Sequence, residues 1–319
     1  MPNRNLPLIA DIKRNSLEDG PGIRSVVFFK GCPLRCIFCQ NPEAQDPEAE
    51  IAFSSRGCIR CGKCAEVCNQ GAVDLEIPSR IHREKCIRCG MCAEACPGRG
   101  LRRIGTFYPV EILAELLLRD LPFYRHSGGG VTLSGGECTL YPDYLESLLK
   151  ILKARRVHVV LETSGDFEYG TFREKVLPFI DIIYYDVKFA DSRAYRQYTG
   201  RSNRRIIENY LCLLREGGVT VHPRIPVIPG ITATRENFSG IVEFLSEAGA
   251  ENVSLLPYNP MGFEMAVSLG RPRSLLPDCF MKPEDEKEIY NIFKMILEEK
   301  GTEVEESSGM NKRSISVRR

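Results

Sequence analysis

Eleven of the chain's 14 cysteines fall between Cys32 and Cys96, in three groups, and their spacing is what points first to chemistry. The second group is Cys58, Cys61, Cys64 and Cys68; the third is Cys86, Cys89, Cys92 and Cys96, followed by Pro97. Both follow the C-x2-C-x2-C-x3-C run of bacterial ferredoxins, in which closely spaced thiolates wrap the corners of a four-iron cubane. In paired-cluster ferredoxins the fourth Cys of each run ligates the other cluster. The runs therefore predict one [4Fe–4S] cluster on Cys58, Cys61, Cys64 and Cys96, and another on Cys86, Cys89, Cys92 and Cys68. CIRCGKCAEVC and CIRCGMCAEAC also form an internal repeat of 28 residues, as pseudo-symmetric halves require. Two structural zinc sites fit less well, because zinc motifs normally pair two C-x2-C knuckles across a longer gap. One small departure is Asn69, which stands where a Pro would follow the first run.

The first group differs in kind. Cys32, Cys36 and Cys39, in GCPLRCIFCQNPE, have C-x3-C-x2-C spacing and no fourth Cys nearby. Three thiolates leave one iron of a cubane without a protein ligand, and a metal site with an open position is built to take substrate. The competing reading is a closed cluster completed by Cys138 or Cys212.

Around these cysteines, apolar β-rich runs alternate with amphipathic helical stretches, which argues for a parallel sheet. Strands are expected near Ser25–Lys30, Gly130–Ser134, Val157–Glu162, Ile182–Val187, Thr220–Val227 and Val253–Pro257. Helices are expected over Pro109–Asp120, Asp143–Ala154, Arg204–Glu216, Arg235–Ala248 and Glu284–Glu299, with Pro109 placed to open the first. The fold class is α/β: a partial (β/α)6 TIM-like barrel over residues 1–50 and 106–300, with a ferredoxin-like 2[4Fe–4S] domain inserted at 51–105. Residues 301–319 are polar, without apolar period, and read as a flexible tail.

Such barrels gather their sites at the C-terminal ends of the strands. There the first strand delivers Cys32 and the second ends in Gly135, Gly136 and Glu137. The third carries Glu162; the fourth ends in Asp186, Val187 and Lys188; the fifth carries Arg224; the sixth runs into Asn259. Singly, each has an ordinary structural explanation; together they suit a ligand with an α-amino and an α-carboxylate group. Gly135, Gly136 and Glu137 would meet the ammonium, and Lys188 and Arg224 the carboxylate.

The bulk numbers agree with an enzyme of this size. The 319 residues carry 43 Lys plus Arg against 42 Asp plus Glu, so overall charge gives no reason to expect nucleic acid or an anionic membrane. The N-terminal MPNRNLPLIADIKRNSLEDG is too charged for a signal peptide, and no apolar run reaches membrane-span length. A cytoplasmic, reducing setting is expected, where clustered Cys serve metal or redox work rather than disulfides. His82, His126, His158 and His222 show no ligand-like spacing, and Cys212 and Cys279 read as packed or idle thiols.

GCPLRCIFCQNPE, DGPGIRS (Asp19 to Ser25), SGGGVTLSGGE (Ser127 to Glu137), DVK, RIPVIPG (Arg224 to Gly230) and LLPYNPMG (Leu255 to Gly262) together resemble the radical S-adenosylmethionine activating enzymes of glycyl radical enzymes. The resemblance runs from Ile9 to about Lys300. It includes the eight-Cys insert that activases of several glycyl radical lyases, decarboxylases, dehydratases and fumarate-adding synthases carry and the plain pyruvate formate-lyase activase lacks. It implies that Cys32, Cys36 and Cys39 hold the catalytic [4Fe–4S] cluster and that the backbone around Phe38 and Gln40 lies against adenine. Gly135, Gly136 and Glu137 would contact the amino group of S-adenosylmethionine, which with its carboxylate chelates the open iron. Asp186 and Lys188 would orient the methionine end, with Arg224 beside them, and the region of Glu162 and Asp186 would suit a monovalent cation. The chain departs from the family at Cys138, where some relatives have Pro, and at Glu162, which replaces a common Asp. It also departs at Asn259, where a His is frequent; an amide can hydrogen-bond but cannot become cationic.

The expected chemistry is that of an anaerobic oxidoreductase with three [4Fe–4S] clusters. One electron entering the sulfonium gives methionine and a 5′-deoxyadenosyl radical, which abstracts hydrogen from a backbone glycine of a partner glycyl radical enzyme. Iron–sulfur potentials span roughly −700 to +450 mV, and this catalytic cluster belongs at the reducing end. The two ferredoxin-type clusters would relay electrons from reduced ferredoxin or flavodoxin. Two alternatives stand beside this: an iron–sulfur electron-transfer protein, which would not need the convergent rim, and a radical enzyme acting on a small molecule.

Overall fold

The computed structural model describes residues 6–272, 276–300 and 314–316. The chain opens with β1 (Leu8–Ser16), which turns through DGPG into β2 (Arg24–Phe29). Every residue of β2 except Phe28 is buried, as a strand flanked on both edges inside a sheet requires. After the cysteine loop come β3 (Glu50–Phe53), two one-turn helices, α1 (Lys63–Glu66) and α2 (Met91–Glu94), then β4 (Leu101–Ile104) and β5 (Thr106–Phe107). Next are α3 (Val110–Leu118), α4 (Leu121–Ser127), β6 (Gly130–Gly135), α5 (Pro142–Ala154), β7 (His158–Thr163), α6 (Tyr169–Lys175) and β8 (Ile182–Asp186). The chain continues through α7 (Ser192–Thr199), α8 (Arg204–Glu216), β9 (Thr220–Val227), α9 (Arg235–Glu247), β10 (Asn252–Pro257), α10 (Met261–Ser268), α11 (Pro283–Glu299) and β11 (Ser314–Ser316).

Among the described residues the main sheet has the order β11-β10-β9-β8-β7-β6-β2-β1-β5. The six strands expected from the sequence are β2, β6, β7, β8, β9 and β10; adjacent ones pair in parallel, and β10 does not return to β2. The result is an open, mostly parallel α/β sheet, in keeping with a partial barrel. β1, β5 and β11 add antiparallel margins that were not expected. Part of the segment expected to be a flexible tail thus pairs with β10, Val253 opposite Ile315; the rest of 301–319 lies outside the described residues.

Helix positions follow the apolar stripe. In α5 the buried set is Tyr144, Leu145, Leu148, Leu149 and Leu152, one face of a 3.6-residue period, with Pro142 in its first turn. The stretch expected as one helix to Asp120 breaks at Leu118. Asp120 is buried there, accepting from Ser25 Oγ at 2.7 Å and from Nε and Nη2 of the Arg14 guanidinium.

The DGPGIRS and SGGG segments meet at the opposite end of the sheet from the cysteine loop. Ile23 N donates to Ser127 Oγ at 2.8 Å, and Gly130 N to Ile23 O at 3.2 Å. Arg24 is fully buried, its guanidinium donating to Thr132 Oγ1 (2.7 Å), Val131 O (2.6 Å) and Pro21 O (3.0 Å). Burial pulls its pKa down to about 10.

The segment 51–105 is pseudo-symmetric. Arg60 and Arg88 both have positive φ (54° and 60°), as do Gly62 and Gly90 (80° and 93°), and each pair precedes a one-turn helix. Phe53 pairs with Leu101, and Val73 pairs with Ile81. A shift of 28 residues carries Phe53 to Ile81 and Val73 to Leu101, so the two pairings are mates under the same repeat.

Candidate active site

β2 ends at Phe29, and Lys30-Gly31 then delivers Cys32 to the sheet's C-terminal rim. The loop that follows is fixed on two sides. Gly31 N donates to Ala44 O (2.8 Å) and Cys32 N to Gln45 O (3.1 Å). Arg35 N donates to Thr199 O (2.8 Å) and Ile37 N to Tyr198 O (3.1 Å), at the end of α7. Cys32, Cys36 and Cys39 line a cleft of about 890 Å³, open to solvent, together with Phe38, Gln40 and Gly135 among others. No other cysteine of the described residues lines it. Cys138 is buried in the turn behind Glu137, and Cys212 lies on α8, so neither completes this set.

Burial pushes all three thiols up to about 12. Without added positive charge they would remain protonated at neutral pH, whereas a metal cluster supplies the charge that keeps thiolates ionised. The donor set thus fits an iron–sulfur cluster. Among the described residues no three His, Cys, Asp or Glu side chains close on a single-ion site; a cubane takes its thiolates at separate corners. In the 51–105 segment, Cys64 lies within electrostatic reach of Cys96 and Cys58, and Cys92 within reach of Cys86, Cys68 and Cys89.

The SGGE turn after β6 forms the cleft floor. A Cβ on Gly136 would lie 2.2 Å from Gly31 O and 2.5 Å from Ala44 O, both rigid backbone, so only glycine permits this approach. Glu137 turns the other way. Its fully buried carboxylate accepts from Thr139 Oγ1 (2.7 Å), Thr163 Oγ1 (2.9 Å), Ser164 N (2.9 Å) and Ser164 Oγ (2.6 Å). Burial raises its pKa, against the pull of those donors. The side chain therefore braces the turn after β7 and does not face the cleft. Removing it leaves several buried donors unsatisfied at about 1–3 kcal/mol each. Glu137→Ala is expected to lower the denaturant midpoint by several such increments' worth of stability, and Glu137→Gln, which keeps the shape, by less.

Glu162, Asp186 and Arg224 from β7, β8 and β9, with Lys188 just past the end of β8, also line the cleft. Arg224 donates to Glu162 (2.7 Å) and Asp186 (3.4 Å), and its guanidinium lies 4.7 Å from the Tyr184 ring centre. Lys188 Nζ donates to Asp186 at 2.9 Å, and Ser134 Oγ to Glu162 at 2.6 Å. Burial alone would raise the Asp186 pKa, but Lys188 and Arg224 outweigh it and hold the carboxyl below its ordinary range. Burial likewise opposes the charges on Lys188 and Arg224, and Asp186, with Glu162 for Arg224, overcomes it. Because an ammonium has three donors, Lys188 retains capacity for a ligand carboxylate. Both terminal nitrogens of Arg224 are engaged with protein, and its Nε is buried without a partner among the described residues.

Besides Glu137, two expected site residues lie outside the cleft lining. Val187 is buried behind the cleft, its N–H donating to Arg224 O at 2.8 Å. Asn259 lines an adjoining groove of about 1370 Å³ that shares Cys36, Phe38, Cys39 and Gln45 with the cleft, and its Oδ1 accepts from Met261 N at 2.9 Å. Conversely, the cleft includes Asn41 and Gln45, which the sequence reading passed over. Their signal was position alone, in the residues following Cys39. Gln45 Nε2 donates to Cys36 O at 3.4 Å.

A sequence model of the Radical SAM superfamily matches residues 26–245. The isethionate sulfite-lyase activating enzyme of Nitratidesulfovibrio vulgaris is 38% identical over 261 residues, 79% of this chain and 84% of that one. The benzylsuccinate synthase activating enzyme of Thauera aromatica is 38% identical over 277 residues, 84% of this chain and 83% of that one. Among solved structures, Streptococcus suis SuiB bound to precursor peptide SuiA superposes with a TM-score of 0.53 at 12% identity. It covers 88% of this chain and 51% of that one, a likeness of fold.

Proposed function

Because the chain belongs to the Radical SAM superfamily, and within it to the activating enzymes of glycyl radical enzymes, we propose that the cleft at the cysteine loop is where S-adenosylmethionine is bound and cleaved. When bound, cluster and cofactor supply a one-electron cleavage to methionine and a 5′-deoxyadenosyl radical, which takes hydrogen from a glycine Cα of the partner enzyme. The protein's part is position and electrostatics. Cys32, Cys36 and Cys39 would hold a [4Fe–4S] cluster with three thiolates, which leaves one iron without a protein ligand. Gly135 and Gly136 keep the floor low enough for the amino end of the ligand, with backbone rather than the Glu137 side chain facing it. Lys188 takes the carboxylate. Asp186 aims Lys188, and Arg224 secures Asp186 and Glu162, so the wall stays neutral and fixed. Phe38 and Gln40 lie on the adenine side. The observation that carries this reading is that these three cysteines, and no others among the described residues, line the cleft.

The 51–105 segment is read as a ferredoxin-like domain with two further [4Fe–4S] clusters, one on Cys58, Cys61, Cys64 and Cys96 and one on Cys86, Cys89, Cys92 and Cys68. Its 28-residue repeat and the crossed proximity of Cys96 to Cys64 and of Cys68 to Cys92 support that exchange of fourth ligands. A reduced ferredoxin or flavodoxin is the fitting electron source. The glycyl radical enzyme's own substrate is left open, since relatives named for isethionate sulfite-lyase and benzylsuccinate synthase are equally similar.

The test is to combine anaerobically reconstituted protein, dithionite and S-adenosylmethionine with a glycyl radical enzyme from the same genome and record electron paramagnetic resonance. A glycyl radical signal requiring all components is expected. Cofactor cleavage with no radical on any such partner would favour a small-molecule substrate.

A further inference from the structure

The two halves of the 51–105 segment repeat each other, but they meet the barrel unequally. In the first half, Arg60 reaches Glu76 within the same segment at 3.9 Å, between side chains 67% and 85% exposed. Its mate in the second half, Arg88, pairs with Glu48 at 2.8 Å and Asp46 at 3.2 Å. The two acidic pairs are themselves mates: a 28-residue shift carries Asp46 and Glu48 to Asp74 and Glu76. The symmetry breaks in what lies behind each pair. Asp46 follows Gln45, whose carbonyl accepts from Cys32 N (3.1 Å) and whose side-chain amide donates to Cys36 O (3.4 Å). Arg88 stands between Cys86 and Cys89, so one side chain and one short backbone stretch join the two cysteine loops.

A second contact has the same sense. Arg83, three residues before Cys86, donates to Ile51 O (2.5 Å) at the start of the segment and to Ser268 O (3.3 Å) at the end of α10. The first half is tied to the barrel by Arg56–Glu264 at 3.2 Å, between side chains 83% and 62% exposed, where ion pairs contribute little.

We propose an electron order: the cluster on Cys58, Cys61, Cys64 and Cys96 receives the electron first, and the cluster on Cys86, Cys89, Cys92 and Cys68 hands it to the cluster on Cys32, Cys36 and Cys39. Arg88, Asp46 and Glu48 are positioning residues that set the hand-over distance. The proposal rests on the ferredoxin-like reading of the segment. Each step moves one electron, oxidising the giving cluster and reducing the receiving one, with the electron drawn from an external low-potential one-electron donor protein.

The order is read by pulsed electron paramagnetic resonance of the fully reconstituted, dithionite-reduced protein, as the spin coupling between the catalytic cluster and its neighbour. Cys86→Ala with Cys92→Ala is expected to abolish that coupling, and Cys58→Ala with Cys64→Ala to leave it. Asp46→Asn with Glu48→Gln, which leaves every cysteine in place, is expected to weaken it; Asp74→Asn with Glu76→Gln is expected not to. Coupling lost with the Cys58 and Cys64 pair, or kept with the Cys86 and Cys92 pair, overturns the order; coupling unchanged in Asp46→Asn with Glu48→Gln overturns the positioning role of Arg88 and its partners. If wild-type protein binds iron for the catalytic cluster alone, the ferredoxin-like reading falls, and the order with it.

Discussion

Replacing Cys36 by alanine is expected to abolish cleavage of S-adenosylmethionine while leaving in place the fold and the two clusters proposed for 51–105. The loop around Cys36 is held by its backbone: Arg35 N and Ile37 N are anchored on Thr199 O and Tyr198 O, and Cys36 O accepts from Gln45. None of these contacts uses the sulfur, so the variant loses a ligand and not a scaffold. Loss of an outer-shell partner alone costs a metal site about 10–100-fold in affinity or activity, and loss of a direct ligand from a set of three should exceed that. Iron and sulfide analysis should register one cluster fewer, and 5′-deoxyadenosine formation should fall to background. Cys212→Ala, outside the cleft, is the matched control and should leave both measurements at wild-type values.

Arg224→Met is expected to cost both stability and cofactor binding. Arg224 lies between Glu162 and Asp186 in a largely buried wall. Removing one partner of a buried ion pair typically costs about 3–5 kcal/mol, because the charge left behind is uncompensated. Denaturant midpoints should fall accordingly, and Arg224→Lys should restore only part, since an ammonium cannot make the forked contact. Released from Arg224, Asp186 would draw more heavily on Lys188 and leave it less available to a ligand carboxylate. The pH dependence has a definite sign. Asp186 titrates below its ordinary value in the folded protein, so its stabilising contribution is complete above an unfolded pKa of about 4 and fades as pH falls through the lower folded value. The stability gap between wild type and Arg224→Met should therefore be widest at neutral pH and narrow in acid.

What could be read in advance followed from how strongly each element declares itself locally. The six parallel strands are rich in apolar residues, β2 and β6 being buried along nearly their whole length, and helices such as α5 and α8 carry one apolar stripe, so both were legible. β1 was not, because the exposed Asp11, Lys13, Arg14 and Asn15 break up its apolar residues. β11 is three residues long and owes its place to pairing with β10, a long-range cause that no local pattern records. α7, SRAYRQYT, buries only Tyr195 and Thr199 and looks like a loop until Asp191 is found capping it through Ala194 N.

The site divided along similar lines. Cysteine spacing states its chemistry directly, and Gly135, Gly136, Glu162, Asp186, Lys188 and Arg224 line one cleft because topology sends the ends of parallel strands to one rim. Side-chain direction was not legible. Glu137 is adjacent in sequence to two cleft glycines, yet its carboxylate is turned inward by Thr139, Thr163 and Ser164. Arg224 was expected to meet a ligand carboxylate; it is held instead by two protein carboxylates, Glu162 and Asp186, which come from other strands, 62 and 38 residues away. Asn259 follows a strand end like the others, but its side chain opens α10 and so faces the neighbouring groove.

The claim on which the rest depends is that the cubane at Cys32, Cys36 and Cys39 keeps one iron free for an amino acid moiety. The direct measurement is electron–nuclear double resonance on the reduced protein with S-adenosylmethionine labelled with 15N at its amino group. Hyperfine coupling from that nitrogen to the cluster, absent in Cys36→Ala, is the predicted result. A reduced four-iron cluster with no such coupling, or one whose fourth corner is held by a protein side chain, would contradict it.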